Sequence, residues 1–173
     1  MLSVFDGLRD VTTLSVFVRL ACALICGGII GIERSYKRRP AGFRTHILIC
    51  IGAAITTLTS QYLYLNMHYF TDMARLGAQV VAGIGFIGAG TIIVTKRQRV
   101  KGLTTAAGLW TSAIIGLTFG GGFYEGGILA TVFIMLAELV FSRLEYRVLG
   151  ARSRDQCVYG YEDKTCLDDV LQL

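Results

Sequence analysis

Apolar residues fill this chain in five runs, at 14–32, 45–65, 76–95, 103–119 and 124–141, and short polar links separate them. A helix needs about 20 largely apolar residues to cross the hydrocarbon of a bilayer, and each run is near that length. The pattern predicts an all-α integral membrane protein with five transmembrane helices in residues 1–142, followed by a short polar tail, 143–173. The opening residues, 1–13, are mixed and carry Asp6, Arg9 and Asp10. A signal peptide would begin with a positive region and have a shorter apolar core, so the first run is read as a span. The third run is apolar apart from Gln79 and holds Gly77, Gly83, Gly85, Gly88 and Gly90. In water each interior glycine weakens a helix by about 1 kcal/mol relative to alanine. In a bilayer the backbone must bond to itself, so the helix forms, and the small residues let neighbouring helices approach. Gly27 and Gly31 carry the same close-packing spacing in the first run.

Composition agrees: 53% of residues are hydrophobic, 17% are charged, and mean hydropathy is +0.57, against about 25% charged in soluble domains. The formal net charge of +5 has no nucleic-acid motif beside it. The basic residues flank apolar runs, where they set orientation and meet anionic lipid. Fourteen of the 17 lie in the link after the first run, the link after the third, and the tail. Five spans place these three regions on one side. The N-terminus is therefore expected outside and the C-terminus in the cytoplasm. Cys22, Cys26 and Cys50 sit in apolar runs, and Cys157 and Cys166 in the tail. There is no paired-cysteine or Cys/His motif, so these read as packing residues, with no metal site and no cofactor expected.

A faint repeat has a period of 60. Gly28, Arg39, Gly42, Thr45, Ala53 and Ile55 recur as Gly88, Arg99, Gly102, Thr105, Ala113 and Ile115, and Arg19 aligns with Gln79. This suggests two parallel two-helix units with a fifth helix added. In the tail, residues 157–161 fit a short strand and Thr165 to Asp168 a helix start. They read as the opening of a truncated soluble domain.

Charged groups inside spans face a partner or a cavity. The intramembrane polar residues are Arg19, Gln79, Glu125 and Glu138. Arg19 is expected either to pair with Glu125 or to snorkel to the surface, and Gln79 to bond across helices, with Arg19 as a candidate partner. A second group gathers at the inner ends of three runs: Glu33, Arg34, Arg44, Thr45, His46, Thr104 and Thr105. It reads either as a polar vestibule for a partner or ion, or as Glu33 paired with Arg34 or Arg44 beside helix-capping threonines. His46 alone, and Trp110, read as packing residues. Gly83-x-Gly85-x-x-Gly88 mimics a dinucleotide fingerprint, but it lies within an apolar run with no preceding strand. No catalytic constellation is present, so no enzyme is expected.

Four ordered motifs, GGIIGIER (27–34), AGFRTH (41–46), GAQVVAGIGFIGAG (77–90) and VKGLTTAAGLW (100–110), resemble the MgtC/SapB family across roughly residues 14–142. The resemblance implies a bacterial inner-membrane protein of magnesium homeostasis, with adaptation and virulence under magnesium limitation. It also implies membrane partners such as ATP synthase or a magnesium-transporting P-type ATPase. The tail would then be the start of the ACT-like domain that ends longer members. Magnesium takes octahedral oxygen ligands and keeps several waters, while the span carboxylates Glu33, Glu125 and Glu138 sit at different depths or helix ends. A dehydrated site in one subunit is not expected. Two readings remain: a protein that binds other membrane proteins, and an oligomeric ion channel or transporter. Glycine packing also favours a homodimer among possible homo-oligomers.

Overall fold

The computed structural model describes residues 3–68, 72–94 and 100–141. A short 3-10 turn, Ser3–Leu8, precedes five helices: α1 (Thr13–Tyr36), α2 (Phe43–Leu65), α3 (Arg75–Ala89), α4 (Leu103–Gly120) and α5 (Tyr124–Leu136). Two short strands, β1 (Ile93–Val94) and β2 (Val100–Lys101), pair antiparallel between α3 and α4. Among the described residues, α1, α2 and α4 are long and apolar enough to cross a membrane. The strand and helix start expected at 157–161 and 165–168, together with Cys157, Cys166 and Arg143, lie outside the described residues, as do Lys96, Arg97 and Arg99.

Several boundaries differ from expectation. α1 begins one residue early because Thr12 and Ser15 form a capping box. The Thr12 side chain accepts from the Ser15 backbone, and the Ser15 side chain accepts from the Thr12 backbone. It continues to Tyr36, so Glu33 and Arg34 lie within the helix and not in a loop. α3 stops at Ala89 and does not run to Thr95. Gly88 and Gly90 weaken its last turn, the Thr91 hydroxyl donates to the Gly88 carbonyl at 2.7 Å, and β-branched Thr91 to Val94 then favour extended backbone. β1 and β2 thus pair on either side of the basic link after α3. It ends at Gly102, whose φ of +97° no other residue takes easily. A Cβ at Gly102 would also overlap the Thr91 carbonyl.

Residues 1–132 form one compact unit. α1, α2 and α4 pack against one another at its centre, and α3 lies against α2 and α4. The close approaches are made by glycine. A Cβ on Gly27 would come within 2.9 Å of the Cys50 Cβ, and one on Gly31 within 2.7 Å of the Phe43 Cα. α4 carries a longer stripe, Gly108, Ser112, Gly116 and Gly120, every fourth residue and all buried. A Cβ on Gly116 would overlap the Cys50 carbonyl, and one on Gly120 would lie 2.5 Å from the Ala54 carbonyl. Around these contacts Ala23, Cys50, Ala54, Leu109, Ala113 and Phe119 have no exposed surface. Small residues at a helix interface bring the backbones together, so dispersion contacts replace a hydrophobic drive that lipid does not supply.

Gly83 and Gly85 do not act this way. A Cβ on either would meet nothing within 4 Å, because both lie on the open side of α3. Gly88 is in ordinary contact with Ala106, and Gly90 lies against α3's own last carbonyls. Cys22, Cys26 and Cys50 are free thiols, the last two buried, and Trp110 is 44% exposed on the outside of α4. The second compact unit is residues 133–173. Its described part holds the end of α5 and a π-helical turn, Ala137–Phe141, in which Glu138 is half-buried.

Candidate functional site

Two buried polar layers lie at opposite ends of α1. The first surrounds Arg34, which is 1% exposed. Its Nη2 donates to the Thr105 hydroxyl at 3.3 Å, tying the end of α1 to the start of α4. Next to it in sequence, Glu33 is 7% exposed, and its Oε1 lies 2.6 Å from the Lys37 ammonium. The expected pairing of Glu33 with Arg34 or Arg44 is therefore replaced by one with Lys37. Residues four apart on a helix share a face, whereas adjacent residues point about 100° apart. Arg44 and Thr104 are exposed and Thr45 is half-buried.

His46 has no exposed surface. Its Nδ1 lies 2.8 Å from the Gly42 carbonyl, and its Nε2 faces Gly108 at the head of the α4 stripe. The expected threonine caps are not formed. Gly42 and Gly102 occupy the N-cap positions of α2 and α4, without a side-chain cap. The Ser35 hydroxyl instead accepts from the Phe43 amide at 2.8 Å, which satisfies one orphan donor of α2 from the end of α1. Of the seven expected residues, the structure joins Arg34 to Thr105, seats His46 beside α4, and leaves Arg44 and Thr104 outside.

The second layer surrounds Arg19, which is wholly buried. Nη1 donates to Gln61 Oε1 at 2.7 Å and to the Gly120 carbonyl at 2.9 Å, and Nη2 donates to the Arg9 carbonyl at 2.6 Å. One guanidinium thus binds α2, the C-terminus of α4 and the segment before α1. The Gly120 carbonyl is one of the groups a helix leaves unpaired at its end, where a cation is also favoured by the helix dipole. Gly122, with φ +77°, leaves room for the guanidinium, since a Cβ there would sit 3.0 Å from Nη2.

Arg19 neither snorkels nor pairs with Glu125. The Glu125 carboxylate accepts from Arg9 Nη2 at 2.7 Å. Gln79 does not reach Arg19 either; it is exposed on α3, and Gln61 takes that place. The segment over Arg19 is fastened further by the Tyr124 hydroxyl, which donates to the Leu8 carbonyl at 3.1 Å, and by Phe5 stacked on Tyr124 with centroids 5.0 Å apart. Gln61, Arg9, Tyr124 and the α4 stripe were not singled out from the sequence. Only the stripe had a signal there, its spacing of four.

Among the described residues no three His, Cys, Asp or Glu side chains converge as metal ligands. The profile of the MgtC family matches residues 20–147. The chain belongs to the MgtC family. It is 43% identical over 142 residues to YhiD of Escherichia coli (strain K12), which is named as a candidate magnesium transporter; the match covers 80% of this chain and 66% of YhiD. An uncharacterized Haemophilus influenzae protein is 40% identical over 129 residues, 72% of this chain and 54% of that one. The protein MgtC of Salmonella typhimurium (strain LT2) is 37% identical over 131 residues, 76% of this chain and 54% of its own. The chain thus spans between about half and two thirds of the length of these relatives. No solved structure matches it. Family membership and the apolar helices make this a membrane protein.

Proposed function

We propose that this chain is a non-enzymatic, five-span protein of the bacterial inner membrane that serves magnesium homeostasis by binding other membrane proteins. ATP synthase and P-type magnesium ATPases are the candidate partners under magnesium limitation. The observation that carries this reading is how the buried charges are used. Arg19 and Arg34 bond to neighbouring helices, and Glu33 bonds to Lys37. Buried charges used this way fix helix positions and build a rigid bundle. Its outward surface, meanwhile, carries glycines with open space beside them, at Gly52, Gly83 and Gly85. Such a surface suits contact with a neighbouring helix.

Five crossings, with the N-terminus outside and the C-terminus in the cytoplasm, follow from the basic residues after α1 and after α3. A parallel repeat of α1–α2 and α3–α4 is supported by the starts of α2 at Phe43 and α4 at Leu103, and by their glycine N-caps at Gly42 and Gly102, each pair 60 residues apart.

The magnesium-transporter name of YhiD favours a second reading, an oligomeric ion path lined by the Glu33 layer. Reconstitution of the purified chain in liposomes separates the two. Under the binding reading, magnesium flux stays at the protein-free level, and a membrane ATPase co-purifies from cells grown at low magnesium. Flux that is lost in Glu33→Gln, in protein that still folds, would replace it with the transport reading.

A further inference from the structure

α3 turns one polar group outward. Gln79 is exposed and makes no hydrogen bond to any described residue. It sits four residues in from Arg75, which starts the helix. On the five-span reading, on which this inference rests, α3 lies in the bilayer, where a lone amide is costly unless something bonds it. Gln79 also belongs to a seam. Arg75, Gln79, Ala82, Phe86 and Ala89 follow the four-three spacing of a heptad, and all five are exposed. Phe86 is 86% exposed.

Along the edge of this seam an apolar cavity of about 340 Å³ opens between α2 and α3, with Gly52 and Gly83 in its wall. A Cβ on either glycine would touch nothing within 4 Å. The same helix therefore carries a projecting aromatic ring and, one turn away, a hollow.

We propose that this face binds a second copy of the chain, with α3 packed parallel to its mate about a two-fold axis along the bundle. Two copies inserted the same way in one membrane form a closed pair only about such an axis. A two-fold interface requires each surface to complement itself. Gln79 does so, because an amide donates and accepts and two of them can exchange hydrogen bonds across the axis. Phe86 and the hollow do so as knob and hole, each supplied by both copies. Ala82 and Gly83 allow the backbones to approach, and Arg75, at the helix start, splays toward headgroups. The inference is independent of whether any ion moves through the protein.

The test follows the full chain in lipid vesicles, counting copies per spot by fluorescence photobleaching as the protein-to-lipid ratio is varied. A benzoylphenylalanine photocrosslinker replaces Ala82 in one sample and Leu14, which is 67% exposed on α1, in another. The expected result is a dimer crosslinked through position 82 and not through 14. Gln79→Leu weakens it by roughly three- to thirty-fold, the range for one interhelical polar contact. Gly83→Leu has room in the single chain and removes a helix-weakening glycine, so thermal stability does not fall, while the dimer weakens by at least about tenfold. A chain that stays monomeric at every ratio overturns the proposal. So does a dimer indifferent to both substitutions, or one crosslinked through position 14 and not through 82.

Discussion

Arg19→Leu is expected to destabilise the protein by about 3–5 kcal/mol, because it strands several buried oxygens at about 1–3 kcal/mol each. The side chain has no exposed surface, and its nitrogens bond Gln61, the Gly120 carbonyl and the Arg9 carbonyl. Leucine would fill much of the volume but leave these oxygens buried without donors. Each such group costs about 1–3 kcal/mol, and the bilayer offers no water to replace the lost bonds. Arg19→Lys keeps the charge but loses the planar fork that reaches two directions at once, so about half the loss is expected. Unfolding in mixed micelles with rising dodecyl sulfate, followed by circular dichroism, measures both. A leucine variant within about 0.5 kcal/mol of the parent would show that the network contributes little.

Gly116→Val is expected to cost about 3 kcal/mol, at the upper end of what overpacking a close interface does. A Cβ there would overlap the Cys50 carbonyl and lie 2.9 Å from the Ala53 Cβ. Backbone cannot swing aside as a side chain can, so α2 and α4 must separate. Their contacts beyond Gly116, at Gly120 against Ala54 and Thr57, loosen with them. The control is Gly83→Ala on α3, where open space lies beside the Cα. There alanine should stabilise the single chain by about 0.5–1 kcal/mol through helix propensity alone. The same micelle titration reads both substitutions. Equal effects at the two glycines would mean that close helix approach does not govern the stability of this bundle.

The contrast between Gly116 and Gly83 shows how far local pattern reaches. Both lie in glycine-rich apolar helices, and Gly83 has the more conspicuous context, GIGFIGAG. Which glycine meets a neighbouring backbone depends on which side of its helix faces inward. α4, which has no charged residue, carries little amphipathic signal to say so. The polar groups behave in the same way. Arg19 and Arg34 stand out in the sequence as charges within or beside apolar runs, and both are buried in the fold. Their partners, Gln61 and Thr105, lie 42 and 71 residues away. No spacing rule links them, because the contact is made by helices packing side by side.

The chain's own residues determined that it is a helical membrane protein, roughly where its helices run, and which family it joins. Length and hydropathy of a segment decide insertion without reference to the rest of the molecule. Only tertiary structure decided that Glu125 bonds Arg9 and leaves Arg19 to backbone and amide oxygens. Only packing turned the α4 stripe inward and left the middle of α3 open. These outcomes depend on the rotation of each helix about its axis, and in an apolar setting that rotation is set by the neighbours it must fit.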